Sequence, residues 1–453
     1  MEVTMVSNNH GCESHNQMSV NRRRFVKAAG AAGIAGLAGC TGGQPSSEST
    51  GGATTGKSSN SEPTKLTYWT LFSGGDGAAM KTLVGKFNEE HDSIQIQRER
   101  QPYDEYYDKL FTSATSGDAP DLAVMHASQQ RRFQDAIVPI EEHLDGGIDE
   151  KYVSSIWDRT KLDGKKYGLP LDTFVNGLYY NKDIFEEAGL DPEKPPTNFS
   201  ELEEAANAIT ENTDKLAFNP EPYGRLYYRS FYAFLKSSGG DLLTDDRSAA
   251  AFDSDVGRLV SQFHADVPGK YGWDKPDSSD NRGIKGFRAG DVAMIINGTW
   301  FYGVVNSLDF EWGLTKPFVN PEATAKFTRA GSHQLVLPQQ QKQSDAKFQA
   351  ALEAAQWLTQ QGEVWGTKAG HLPASQSVYD SGTLESAPVW DRTLSTFYEI
   401  AQDDQLLFEP SLQNNEDWKR PVTSAMEQVY SHQLDPEEAV TQAAEKVTAN
   451  LQG

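Results

Sequence analysis

Apolar residues near the start of the globular part of the chain follow two different spacings. An apolar and aromatic run extends from Lys65 to Leu71 and indicates a buried strand. After the polar residues Ser73 to Asp76, apolar residues recur at the i, i+3, i+4 and i+7 spacing of one helix face: Met80, Leu83, Val84 and Phe87. A helix is therefore predicted, with Asp76 expected as its N-terminal cap.

The same alternation of strand and helix continues along the chain. Ile94 and Ile96 alternate with polar residues, Tyr106 to Thr115 is predicted as a helix, and Leu122 to Met125 is predicted as a third strand. Alternating strands and helices predict an α/β fold with mostly parallel sheets.

Two later helices are predicted from their first residues. Ser200 and Glu203 have the spacing of a capping box before an apolar helix face. Asp435 precedes Pro436 at the start of a final amphipathic helix, where proline at the first helical position is favoured.

The N-terminal region has the pattern of an export signal followed by a tether. Arg22, Arg23 and Lys27 precede a weakly apolar stretch of eleven residues, 28–38, which is too short to span a bilayer. The basic residues resemble a twin-arginine signal. Leu37 to Cys40 resembles a lipobox, which implies a signal peptide over residues 1–39 and a lipid on Cys40. Residues 40–63, rich in Gly, Ser and Thr, are expected to form a flexible linker. A buried cysteine at the start of a small helix remains the alternative for Cys40.

The net charge of the chain limits the classes of partner that it is expected to bind. Lys and Arg total 41 against 64 Asp and Glu, for a formal net charge of −23, and no dense basic cluster follows the first thirty residues. Nucleic acid is therefore not expected as a partner. Such an excess of acid is tolerated best where salt screens it, which favours the hypothesis of a high-salt habitat. The two cysteines, Cys12 and Cys40, cannot staple the body.

Motifs for catalysis are not found in the sequence. It contains no Gly-x-Ser-x-Gly elbow, His-Glu-x-x-His helix, Walker loop or cysteine pair at metal spacing. Adjacent carboxylates occur at 141–142, 186–187 and 245–246, but a chain with 64 acids is expected to contain such pairs on solvated surfaces. No enzyme activity, cofactor or metal is predicted.

Several segments together resemble one family. They are Leu171 to Asp183, Phe218 to Tyr223, Phe287 to Met294, Gly298 to Trp300, Gly331 to Gln334, Gly370 to Pro373 and Trp418 to Val429. Their order and spacing are similar to those of the extracellular solute-binding proteins of ABC importers, in the branch that includes the maltose-binding proteins. The resemblance runs from about Lys65 to Leu451.

This resemblance implies a two-lobed fold of the type II periplasmic-binding-protein class, with sheets flanked by helices and a hinge between the lobes. It implies an N-terminal lobe from 64–171 and 318–370 and a C-terminal lobe from 172–317 and 371–453. The three interlobe crossings are expected near 171–173, 314–317 and 370–373.

The resemblance also implies a set of ligand-binding residues. Trp300 and Tyr223 match positions that stack on sugar rings, Trp418 matches a third aromatic platform, and Glu221 is expected to accept a hydrogen bond from a hydroxyl group. The remaining expected ligand-binding residues are Trp69, Ser73, Gly74, Asp76, His126, Asp172, Asn176 and His333. Ordinary core packing stays open for Trp69, Trp300 and Trp418. His126 lies in a segment, 125–129, that departs from the maltose binders, so maltose itself is not implied.

The function implied is capture of a sugar or oligosaccharide by a lipid-anchored monomer at the extracellular face, and its delivery to an ABC permease driven by a cytoplasmic ATPase. Two alternatives remain open: a secreted carbohydrate-active enzyme, and a receptor for iron or peptides. The adjacent tyrosines Tyr179 and Tyr180 are the residues that raise the iron alternative.

Overall fold

The computed structural model describes residues 62–453. The signal peptide expected over residues 1–39, the lipid attachment at Cys40 and nearly all of the linker expected over residues 40–63 lie outside the described residues. Among the described residues, no helix is long and apolar enough to cross a membrane.

Strands and helices alternate through the described chain. The strands are β1 (Thr64–Thr70), β2 (Ile94–Arg100), β3 (Leu122–His126), β4 (Lys161–Leu162), β5 (Lys165–Lys166), β6 (Leu169–Pro170), β7 (Asp172–Asn181), β8 (Leu216–Asn219), β9 (Val292–Gly298), β10 (Trp312–Thr315), β11 (Thr328–Gly331), β12 (His333–Val336), β13 (Leu372–Pro373) and β14 (Leu406–Phe408). The α-helices are α1 (Gly74–Glu90), α2 (Tyr106–Ser116), α3 (Gln130–Phe133), α4 (Ser154–Trp157), α5 (Lys182–Glu187), α6 (Phe199–Asn212), α7 (Tyr228–Ser237), α8 (Asp255–Asp266), α9 (Arg282–Arg288), α10 (Tyr302–Val305), α11 (Asp345–Gln360), α12 (Gly362–Ala369), α13 (Ser377–Asp380), α14 (Ser395–Gln402), α15 (Glu416–Tyr430) and α16 (Pro436–Gln452).

The first lobe is built on a five-stranded sheet in the order β2-β1-β3-β12-β6. The apolar face predicted for α1 is buried in its core, where Met80, Leu83 and Phe87 have no exposed surface. Helices α11 and α12 add to the same core through alanine-rich faces and Trp365.

The second lobe is built on a larger sheet in the order β14-β11-β7-β9-β8, with β10 and β13 also paired to β7. All ten residues of β7 are buried, because this long strand lies at the centre of the sheet and has a hydrophobic core on each face. Helices α7, α8, α15 and α16 pack together on one face.

The α/β class and the two-lobed architecture are confirmed, but the sheets are mixed rather than mostly parallel. In the first sheet β1 runs parallel to β2 and β3, whereas β12 runs antiparallel to both of its neighbours. In the second sheet β7 is antiparallel to every strand it pairs with.

The chain passes between the sheets at three places. The first passage is at Leu171, between β6 and β7, and the third lies between α12 and β13, both within the ranges expected from the sequence. The second passage is at Ser332 rather than near 314–317, because β11 still pairs with β7 in the second sheet and β12 pairs with β3 in the first. Gly370 ends α12 with φ +76°, a conformation that favours glycine.

Helix caps differ in how well sequence predicted them. Asp435 accepts hydrogen bonds from the backbone N–H groups of Glu437 and Glu438, so the cap of α16 is confirmed. Helix α1 instead starts at Gly74 after Ser73, which leaves Asp76 in its first turn. Helix α6 is capped by Asn198, whose side chain accepts from the N–H of Glu201, so the capping box expected at Ser200 and Glu203 is wrong.

Candidate functional site

All three passages between the lobes meet at the carboxylate of Asp172. Its Oδ2 lies 2.9 Å from Nδ1 of His333, beside the second passage, and 3.1 Å from Nδ1 of His371, in the third. The indole N–H of Trp365 donates to the same oxygen at 2.8 Å. His371 Nε2 lies 3.2 Å from Oδ1 of Asp76, in the first turn of α1. We call Asp76, Asp172, His333, Trp365 and His371 the hinge network.

In the hinge network, the buried carboxylates and the buried histidine rings stabilise each other's charged forms. Burial alone would raise the pKa of Asp172, but the neighbouring rings of His333 and His371 outweigh it and hold that pKa well below its ordinary value. Burial would lower the pKa of His371, but the carboxylates of Asp76 and Asp172 outweigh it and raise the pKa to about 10. At neutral pH the fully buried His371 is therefore an imidazolium between two carboxylates.

The spacing of Asp172, His333 and His371 would also suit a metal ion. The hydrogen bonds argue for another interpretation, because both rings already lie at hydrogen-bonding distance from Asp172 and the Trp365 N–H occupies the same carboxylate oxygen. The arrangement fits an ion-pair network that joins the passages between the lobes.

The aromatic residues expected to contact a ligand lie together on the second lobe. The indole N–H of Trp300 donates to the hydroxyl of Tyr223 at 2.8 Å, and Trp300 packs edge to face against Phe174 with ring centroids 5.8 Å apart. Glu221 accepts from the backbone N–H of Tyr223 at 3.3 Å, and burial raises its pKa to about 7. Three of the residues expected from the resemblance, Trp300, Tyr223 and Glu221, are therefore neighbours in the structure.

A large cleft of about 990 Å³ opens between the lobes. Its wall on the first lobe includes Tyr103, Tyr107, His126, Ser128 and Arg159. Its wall on the second lobe includes Phe174, Tyr228, Arg329, Phe408, Glu409 and Lys419. Tyr103 is 41% exposed and is the one large apolar side chain among the described residues that is this open to solvent. Flat rings beside charged and amide groups are the combination that sugars require.

Three cations surround the ring of Tyr228, and two of them, Arg329 and Lys419, line the cleft with it. Lys419 Nζ lies 5.0 Å from the ring centroid, and the guanidinium carbons of Arg229 and Arg329 each lie 5.9 Å from it. Glu409 accepts from Nε of Arg329 at 2.7 Å and from Lys419 at 2.6 Å. We call Tyr228, Arg229, Arg329, Glu409 and Lys419 the cationic cluster.

Polar contacts bridge the mouth of the cleft. Arg225 of the second lobe lies 2.7 Å from Asp104 of the first. The side-chain amide of Asn415 donates to the carbonyl of Ser128 at 2.6 Å. Arg159 of the first lobe also stacks on Phe408 of the second, 3.6 Å from its ring centroid. The two lobes are therefore in contact at several residues that line the cleft.

Several of the expected ligand-binding residues lie elsewhere in the structure. Trp418 is fully buried in the core of the second lobe, edge-on to Tyr228, so core packing accounts for its position, and it does not line the cleft. Trp69, on β1, donates its indole N–H to the carboxylate of Glu99, and Nζ of Lys109 lies over its ring. Ser73 and Gly74 are exposed where α1 begins.

The remaining expected residues have identifiable positions. His126 lines the cleft next to the hydroxyl of Tyr107, and burial lowers its pKa well below the ordinary value. Asn176 is buried on β7, with a side-chain oxygen that has no hydrogen-bond partner among the described residues. Asp76, Asp172 and His333 belong to the hinge network and hold the lobes together rather than lining the cleft.

The paired tyrosines are not arranged as metal ligands. Tyr179 donates its hydroxyl to the carbonyl of Gly298 at 3.1 Å, whereas Tyr180 donates to the carbonyl of Pro192 at 2.9 Å. Successive residues of β7 point to opposite faces of the sheet, so the two hydroxyls are satisfied in separate places.

Sequence reasoning missed the cationic cluster and the aromatic residues of the first lobe's wall. Tyr103 and Tyr107 flank the start of α2, and Tyr228 and Arg229 begin α7. The one available signal was Arg329 beside the Gly331 to Gln334 segment, since a lone arginine near a buried strand requires a partner.

A two-lobed body with three interlobe passages and a polar, aromatic-lined cleft defines the class of two-lobed binding proteins. The sequence profile of the bacterial extracellular solute-binding proteins matches residues 73–364, and the chain belongs to this family.

Two proteins with assigned names are similar to parts of this chain. An arabinooligosaccharide-binding protein of Halalkalibacterium halodurans is 32% identical over 210 residues, which is 45% of this chain and 46% of that protein. The chain thus matches about half of that relative's length. A lactose-binding protein of Rhizobium radiobacter is 27% identical over 62% of this chain and 68% of its own.

Solved structures agree on the fold. An ABC transporter solute-binding protein from Thermotoga lettingae, in a complex with α-D-tagatose, is 26% identical. It superimposes with a TM-score of 0.70 over 86% of this chain and 100% of its own.

Proposed function

We propose that this protein captures a sugar or oligosaccharide outside the cell membrane and delivers it to an ABC permease. The observation that carries the proposal is the cleft between the hinged lobes, where Tyr103, Tyr228 and Phe174 stand beside buried charged groups. Rings stack on the apolar C–H faces of a sugar, and the charged groups hydrogen-bond to its hydroxyls. The names of the oligosaccharide-binding and lactose-binding relatives support this class of ligand.

Closure follows from the architecture. A ligand that binds one lobe and then contacts the other stabilises the closed arrangement by the difference in its affinity for the two states. Contacts such as Arg225 to Asp104 add to closure at the mouth of the cleft. The permease would then recognise the closed form.

The proposal also covers the export route and the cellular location of the protein. The twin-arginine pattern over Arg22 and Arg23 and the lipobox ending at Cys40 support export in the folded state and a lipid anchor at the extracellular face. The linker before Pro63 would space the body from the membrane. The body would act as a monomer with no catalytic step, in a high-salt habitat.

The experiment is a thermal-shift screen of the purified chain against monosaccharides and oligosaccharides in high salt, followed by chromatography of the recovered sugar. We expect at least one sugar to raise the melting temperature and to be recovered unchanged. Release of new reducing ends would instead indicate a glycosidase, and a shift with iron or peptides alone would indicate the other class of receptor.

Trp300→Ala gives a matched test of the site. We expect it to weaken binding of that sugar roughly tenfold, through loss of about a kilocalorie of ring contact, while the melting temperature of the free protein stays near that of wild type. Trp390→Ala is the control, because Trp390 is a partly buried tryptophan that packs on Tyr398, whereas Trp300 packs against Phe174 of the cleft wall. Equal affinity in the two variants would remove Trp300 from the site.

A further inference from the structure

We propose that the sugar bound by this cleft is acidic: a saccharide with a carboxylate, phosphate or sulfate group whose oxygens bind the cationic cluster. This inference rests on the proposed function and names the chemical class of its ligand.

The cationic cluster concentrates buried positive charge beside the cleft, which Arg329 and Lys419 line, while Arg229 lies next to Tyr228 outside the lining. Arg229 is 8% exposed, Arg329 4% and Lys419 9%, and all three lie around the ring of Tyr228. Cationic side chains are almost never buried to this extent unless they are paired. A site with three of them therefore requires negative charge nearby.

The carboxylates of the protein supply only part of that charge. Glu409 is shared between Arg329 and Lys419. Arg229 forms no ion pair with any described residue, and its Nε has no hydrogen-bond partner among them. Glu221 acts on Arg229 through space, but its carboxylate bonds to the Tyr223 backbone, and it is partly protonated at neutral pH because burial raises its pKa to about 7.

Arg329 keeps a free donor at the cleft wall. Nη1 of Arg329 is buried without a hydrogen-bond partner among the described residues, and Arg329 lines the cleft. The planes of the two arginines lie near Phe174 and Trp300, whose rings hold the guanidinium groups by cation–π contact at 5.4 Å from the centroids. Nε and Nη2 of Arg329 already bind Glu409, so its Nη1 is the donor that remains for a carboxylate or phosphate oxygen.

The balance of charge in the cleft differs from that of the chain. Nine Lys and Arg residues line the cleft against eight Asp and Glu, whereas the whole chain has 41 against 64. A protein with a net charge of −23 repels an anion at long range, and salt screens that repulsion while buried groups in contact are screened much less. A neutral sugar would satisfy the free donors but would leave the excess positive charge uncompensated.

The test is calorimetric titration of the purified chain with matched pairs of sugars: galactobiose against digalacturonate, and glucose against glucose 6-phosphate. We expect an acidic member to bind roughly tenfold to a hundredfold tighter than its neutral partner. The two pairs distinguish a carboxylate from a phosphate as the recognised group.

Variants assign the difference to the cationic cluster. Arg229→Gln should reduce the affinity for the acidic sugar by roughly tenfold or more and should change that for the neutral partner less. Lys419→Gln provides a second variant if the first fails to fold. Arg258→Gln, at an ion pair with Asp253 outside the cleft lining, should leave both affinities unchanged.

Two outcomes contradict the inference in different ways. If neutral members bind as tightly as acidic ones, or only neutral sugars bind, the inference fails and sugar capture stands. If no sugar of either kind binds, the proposed function fails as well.

Discussion

Replacement of Asp172 by Asn is expected to lower the free energy of unfolding by about 3 to 5 kcal/mol. The carboxylate is fully buried and accepts hydrogen bonds from His333 and Trp365 while it compensates the His371 imidazolium. An amide would remove the negative charge and present N–H groups to donors. Denaturant unfolding followed by circular dichroism measures the change.

Asp291→Asn is the matched control for this substitution. Asp291 pairs with Lys215 at 3.2 Å, but its side chain is 64% exposed, so its loss should change the stability by less than about 1 kcal/mol. An Asp172→Asn variant as stable as this control would show that the hinge network does not hold the lobes together.

The second large effect is expected in alkaline solution and depends on His371. Its pKa is raised from 6.5 to about 10 in the folded protein, so the imidazolium stabilises the fold fully below pH 6.5. That contribution is lost as the pH rises towards 10. The shift corresponds to a loss on the order of 3 to 5 kcal/mol between these limits.

Comparison with His371→Gln isolates this titration, because glutamine keeps polar atoms near Asp76 and Asp172 without a charge. We expect wild type to exceed the variant in stability most at about pH 6 and the difference to shrink steadily up to pH 10. A difference that is constant across this range would mean that His371 is neutral in the folded protein.

Local periodicity predicted several elements of the fold, including β1 to β3 and the helices α1 and α2. The spacing of Met80, Leu83 and Phe87 on α1 is a property of the sequence alone, and all three are buried as expected. The direction of the return strands was not predictable in this way, because the antiparallel pairing of β12 depends on where the chain crosses between lobes.

The site residues also differ in whether a local sequence pattern could predict their positions. The burial of Trp418 had a local signal: it shares the i, i+4, i+8 and i+11 spacing of a buried helix face with Val422, Met426 and Val429. The cationic cluster had no such signal, since its members come from α7, β11, the residue after β14 and α15, and Arg329 lies 80 residues before Glu409. Only the folded chain brings them together.

The central claim is that the two lobes close over a sugar, and the distance between the lobes measures it most directly. Cys12 and Cys40 are the two cysteines of the chain, so a Cys-free background needs only Cys12→Ser and Cys40→Ser. Lys81→Cys on α1 and Glu204→Cys on α6 then place one spin label on an exposed helix of each lobe. Pulsed electron–electron double resonance measures the distance between the two spin labels.

With a sugar that binds, we expect a single narrow distance, and without it a broader distribution that extends to longer distances, because the ligand selects the closed state. Saturating sugar that leaves the distribution unchanged would contradict closure over a ligand in this cleft.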